Sequence, residues 1–102
     1  MRYKGARAKA TDIPKRVKLE VMARDKGRCI FCGRVGAPNA HYISRAHGGL
    51  GIERNIVTAC INCHNEMDNG KNTQSYKNIA RNYLRSRYEN WREDELIYHK
   101  GE

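Results

Sequence analysis

Four cysteines and a few acid–base residues carry the chemistry available to this chain. Two residues separate Cys29 from Cys32 and Cys60 from Cys63, and 27 residues separate the two pairs. A Cys-x2-Cys knuckle turns both sulfurs toward one ion at about 2.3 Å, and two knuckles complete a tetrahedral four-thiolate zinc site. Such a site has no open position, so this zinc is expected to be structural. Disulfides or free thiols are the alternatives. Gly33, after the first knuckle, fits the backbone turn a knuckle needs. The long insert between the knuckles exceeds the commonest ribbon spacing, so it needs structure of its own.

A second set of polar residues lies inside and just after the cysteine frame. His64 follows Cys63 directly, and Asp68 comes four residues later. On a helix the two share one face, either as a divalent-metal seat or as a surface hydrogen bond. His41 sits in an expected strand, where a histidine is structural or catalytic. Asn55 precedes a second strand and is otherwise a turn residue. Arg45 and His47 fall in the glycine-rich stretch that holds Gly48, Gly49 and Gly51.

The elements that must position these residues follow from periodicity and turn signals. Residues 1–12 are expected to be a flexible basic arm, with Arg2, Lys4, Arg7 and Lys9. A helix over 13–25, capped by Thr11 or Asp12, places Ile13, Val17 and Val21 on one face and Lys15, Arg16, Lys18 and Arg24 on the other. Short strands are expected over 40–43 and 56–58, joined by a loop. A helix from 61 stops before Asn69-Gly70. A longer helix from 73 carries Tyr76, Ile79, Ala80, Tyr83 and Leu84 at i, i+3, i+4, i+7 and i+8. Lys77, Arg81 and Arg85 form a basic stripe on it, either a solvated face or a nucleic-acid contact. Trp91, Leu96, Ile97 and Tyr98 are expected to dock back on the core.

Composition narrows the partner. The chain has 102 residues, which is one domain, and its 20 Lys and Arg exceed its 11 Asp and Glu to give +9. That excess points to a polyanion such as nucleic acid. A core with one Phe and one Trp is modest, and a metal is a common supplement in so small a chain. The N-terminus has no apolar run and no segment is apolar enough to cross a membrane. A cytoplasmic location, where thiols stay reduced, is therefore expected, and this favours metal over disulfides.

The run Arg24-Asp25, Cys29-x2-Cys32-Gly33, His41-Tyr-Ile-Ser-Arg-Ala-His-Gly-Gly49, Asn55-Ile-Val57 and Cys60-x2-Cys63-His64 resembles the HNH endonucleases, most of all the small ones of bacteriophages and prophages. The match covers roughly residues 13–70. It implies a small α+β fold with a ββα-metal core over 25–70, stapled by the four-cysteine zinc. An N-terminal helix and a longer C-terminal helical extension over 73–102 would flank that core. It implies His41 as the general base, Asn55 as the residue that holds the base-bearing loop, and His64 as a ligand of the catalytic ion. Asp68 stands where many relatives carry a further His or acidic ligand. One departure is clear. Many relatives carry Asp or His just before the base, and here that position is Ala40. A shifted register would make His41 the ligand and Tyr42 the base, but the residues that follow favour the first register.

The resemblance implies a DNA endonuclease that uses Mg²⁺, Mn²⁺ or Ni²⁺, in the cytoplasm of a bacterial host. Relatives of this type often work beside terminase, the phage packaging motor. The physical case is independent. Phosphodiester hydrolysis needs a deprotonated nucleophile, which a neutral imidazole can generate, and a cation at the leaving oxygen. Arg45, His47, Lys77, Arg81 and Arg85 are the candidate phosphate contacts. One chain offers one active centre, as a monomer or weak dimer. The competing reading is a zinc-ribbon nucleic-acid binder without catalysis, which needs neither His41 nor His64.

Overall fold

The structure is a computed structural model that describes residues 5–99. Arg2 and Lys4 of the expected arm lie outside the described residues. Over its described part, the arm expected to be flexible is largely helical. Ala6–Thr11 forms a short helix, α1. The physical reason is local: alanine alternates with arginine and lysine there, and all three are strong helix formers. The helix ends because Pro14 disfavours the helical conformation in Ile13 and has no N–H to continue the ladder. Asp12 is already extended, with φ −68° and ψ 149°.

Helix α2 spans Lys15–Asp25, with Pro14 rather than Thr11 or Asp12 at its N-cap. Val17, Val21 and Asp25 are its buried face. Strands β1 (Ala37–His41) and β2 (Ile56–Ala59) then pair antiparallel, with Ala40 opposite Val57 and His41 opposite Ile56. Helix α3 covers Ile61–Asn69 and α4 covers Thr73–Arg87. The fold is thus a small α+β arrangement around a two-stranded sheet.

The sheet is covered on both faces, which explains why every residue of β2 is buried. Ile56 packs with Val17 and Val21 of α2. Val57 turns to the larger cluster with Ala40, Met67, Ala80, Leu84 and Leu96. The C-terminal segment docks as expected: Leu96 is fully buried, and the Trp91 indole N–H donates to the Arg54 carbonyl over 2.8 Å. It also pins the glycine loop, since Leu50 N–H reaches the Leu96 carbonyl and Tyr98 N–H the Gly48 carbonyl, each over 2.8 Å. Among the described residues no helix is long and apolar enough to cross a membrane.

Arg24 does not lie on an outer basic face. Its side chain is buried beside Asp25, and the two form one network. Arg24 Nε and Nη2 donate to the two Asp25 oxygens over 2.7 and 2.8 Å. Its remaining donors reach the Glu53 carbonyl (2.9 Å), the Ile56 carbonyl (2.8 Å) and the Tyr88 hydroxyl (2.9 Å). Asp25 also accepts from Thr58 N–H over 3.0 Å and from the Tyr83 hydroxyl. A buried carboxylate is tolerated only when paired and hydrogen-bonded in this way. Helical periodicity alone assigned Arg24 to solvent because it carried no information on this partner.

Burial pushes the Asp25 carboxyl up, but hydrogen bonds from Arg24 and Tyr83 and the Arg24 charge outweigh it, so it lies below its ordinary 3.8. A carboxyl with a lowered folded-state value stabilises the fold above its unfolded value, and this is lost as pH falls through the folded one. Asp25→Asn removes that acid limb and leaves a buried guanidinium without its counter-charge, at a cost of about 3–5 kcal/mol. Urea unfolding midpoints at neutral pH and in acid check this. The parent midpoint drops in acid, and the variant starts low and changes less.

Candidate functional site

The two knuckles converge. All four Sγ atoms lie within 4.8 Å of one another, and Cys32 and Cys60 are 3.6 Å apart as free thiols. Four sulfurs around one ion at about 2.3 Å stand about 3.8 Å from each other, so the spacing fits a tetrahedral metal such as zinc. The first knuckle closes through Cys29 N–H to the Arg34 carbonyl (2.6 Å) and Gly33 N–H to the Cys29 carbonyl (2.9 Å), with Gly33 at φ +81°. The second knuckle starts a helix: Cys60 is the N-cap of α3, and its sulfur accepts from Cys63 N–H over 3.4 Å. That contact holds the Cys60 thiol down, to about 7. Burial and the neighbouring thiols push Cys63 up to about 12. Thiols this close ionise together only around a cation.

Because Cys63 and His64 are adjacent, the helix fixed by the cysteines presents His64. Its Nε2 is 3.1 Å from Asp68 Oδ2, one turn along α3. Both line a cavity of about 1080 Å³, together with His41, Arg45, Lys77 and Asp12. A nitrogen and a carboxylate are ligand types that a divalent ion would accept. The four cysteines are the only group of three or more potential metal ligands this close among the described residues.

His41 sits at the end of β1 and is nearly buried. Its Nε2 is 2.9 Å from the Thr11 carbonyl oxygen. A carbonyl only accepts, so Nε2 carries the hydrogen and Nδ1 keeps a lone pair. Burial lowers the imidazole's proton affinity more than the Thr11 contact raises it, and Arg45 lowers it further. The balance favours the neutral ring. Strand alternation places its neighbours elsewhere. Ala40 is fully buried in the core. Tyr42 donates to Glu93 over 2.6 Å, and its ring centroid lies 5.8 Å from that of Trp91. Those engagements argue against Tyr42 as the base.

Asn55 is fully buried and works on the loop, not in the cavity. Its Oδ1 accepts from Ile43 N–H over 2.9 Å, and its Nδ2 donates to the carbonyls of Ile43 (3.1 Å) and Leu50 (2.9 Å). It therefore ties together both ends of the loop that follows His41. Gly49 is packed so close to the Ile43 carbonyl that any Cβ would collide with it.

The expected basic residues divide. Arg45 is exposed at the cavity and paired with Asp12. His47 is also exposed, with Nδ1 2.7 Å from Ser44 Oγ. The stripe on α4 is not a uniform solvated face. Lys77 leans over β1, bonded to the Tyr42 carbonyl, with its ammonium 5.7 Å from the Tyr42 ring centroid. Arg81 is half-buried with an unpaired Nε, and Arg85 is exposed away from the cavity lining. Sequence reasoning missed Thr11, Asp12 and Lys18 at or beside the cavity. The alanine-rich composition of 6–10 was the one signal that pointed to α1.

No known protein family's sequence profile matches this chain, and no curated protein matches it.

Holding one zinc ion between the cysteines couples metal to folding. Exhaustive chelation is expected to release about one zinc per chain and to lower the thermal midpoint steeply. Metal analysis alongside a thermal melt checks it, and an unchanged midpoint after complete removal contradicts it.

Proposed function

We propose that this chain is a divalent-metal-dependent DNA endonuclease of the HNH type, built on a ββα-metal core and stapled by structural zinc. The observation that supports this reading is one cavity lined by His41, the hydrogen-bonded His64–Asp68 pair and the cations Arg45 and Lys77. His41 takes a proton from water through Nδ1, while the Thr11 carbonyl holds its other nitrogen. Arg45 and Lys77 meet the phosphate oxygens with positive charge. His64 and Asp68 would hold a Mg²⁺, Mn²⁺ or Ni²⁺ ion, which would supply positive charge to the phosphodiester as negative charge builds on it. Asn55 positions the base through its loop. The +9 excess supplies a salt-dependent attraction to the DNA backbone. The sequence carries no pattern of a base-reading recognition helix, and the proposed cleavage is weakly selective for sequence, in the cytoplasm of a bacterial host. A role beside a packaging motor is an extension of the family resemblance alone.

The test is plasmid nicking with Mg²⁺, Mn²⁺ or Ni²⁺. The parent chain nicks, and His41→Ala loses about 10²- to 10⁴-fold, the usual contribution of a general base. His64→Ala loses activity at every ion concentration, and Asp68→Ala raises the ion concentration required. Equal nicking by parent, His41→Ala and His64→Ala defeats the catalytic reading. DNA binding without cleavage under every ion favours a zinc-ribbon binder instead.

A further inference from the structure

The residues around α1 do more than decorate the N-terminus. The helix is tied to the cavity loop at several points. Arg7 Nη2 donates to the Ala46 carbonyl over 2.8 Å, and Gly51 N–H donates to the Ala10 carbonyl over 2.9 Å. Asp12 pairs with Arg45. Thr11 is buried, although the segment around it is charged and solvent-facing. At the end of this helix the Thr11 carbonyl meets His41 Nε2.

We infer that α1 is a positioning element of the catalytic unit: by docking on the 45–51 loop, it sets the Thr11 carbonyl against His41 and selects the tautomer that keeps the lone pair on Nδ1. This rests on the nuclease reading above. The unit then begins near residue 5, well before the first cysteine. A free imidazole exchanges readily between tautomers, and a fixed acceptor on one nitrogen selects one of them. If α1 lifts away, the ring stays in its strand but the lone pair is no longer reserved for the attacking water. The wrong tautomer costs catalysis without costing substrate affinity.

Gly51 offers a way to lift the helix without replacing any cavity residue. A Cβ there would stand on the Asp12 carbonyl, immediately beyond Thr11. Arg7→Ala is the gentler variant, since Arg7 is exposed and its loss removes only the outer tie. Both are compared with the parent as zinc-loaded full chains. Fold is checked by thermal melt, and DNA cleavage is measured under single-turnover and saturating conditions. The His41 ring nitrogens are followed by long-range ¹H–¹⁵N correlation and assigned by their loss in His41→Gln. The expected result for Gly51→Ala is a fall in kcat of about 10²-fold with KM unchanged, the signature of a lost general base. Its His41 signals move from a pure Nε2–H pattern to a mixture. Arg7→Ala changes both readouts in the same direction by less. An unchanged kcat and tautomer in both folded variants overturns the role of α1 and leaves the nuclease reading standing. A fall in kcat with the His41 pattern unchanged also overturns it. Absence of hydrolysis by the parent chain defeats the nuclease reading, and the positioning role with it.

Discussion

The buried carboxylate of Asp25 sets the constraint on which the rest depends. A charge in that position has to be surrounded by donors, and those donors come from three separate elements: Arg24 on α2, Thr58 on β2 and Tyr83 on α4. Satisfying one carboxylate therefore fixes how two helices sit on the sheet. Arg24 extends the same network to the Glu53 and Ile56 carbonyls, which flank Asn55. Asn55 in turn fastens Ile43 and Leu50, and with them the loop after His41. Hydrogen bonds joined through the backbone of residues 53–56 run from a buried ion pair to the edge of the cavity. Each link is of ordinary strength, and its value lies in allowing a single arrangement.

The cysteine frame acts on the opposite wall. It fixes the start of α3, and because His64 is the next residue after Cys63, the frame fixes the imidazole with it. Two unrelated kinds of interaction thus hold the two faces of one cavity. The buried ion pair sets the His41 side, and the sulfur cluster sets the His64 side. Neither wall has a large apolar core behind it. Ile56, Met67, Leu84 and Leu96 are among the largest fully buried side chains, and a core of this size leaves much of the positional accuracy to polar contacts.

Much of this was legible in the sequence. The cysteine spacing pointed to the sulfur cluster, periodicity located α2 to within two residues and the start of α4, and the Asn69-Gly70 stop signal located the end of α3; the helical extension expected over 73–102 ends at Arg87, and only a short helical turn at Glu93–Leu96 follows. What was not legible has a common cause. Arg24, Lys77 and Thr11 all act through partners far along the chain, on carbonyls or carboxylates that periodicity does not register. Arg24 and Lys77 read as surface cations because an amphipathic helix usually exposes such residues. The arm over 1–12 read as flexible because its charges masked the alanine-rich helical signal between them, and because a carbonyl that grips a histidine has no signature in side-chain types.

In the proposed hydrolysis of DNA, His41 removes a proton from the attacking water. Chemical rescue addresses it most directly. His41→Gly opens a space at the base while leaving His64 and Asp68 in place, and single-turnover cleavage of end-labelled duplex is followed with and without added imidazole. Restoration of cleavage in proportion to the neutral imidazole present is the predicted result. Cleavage by His41→Gly at the parent rate without imidazole contradicts the account, and so does a loss of cleavage that no concentration of imidazole restores.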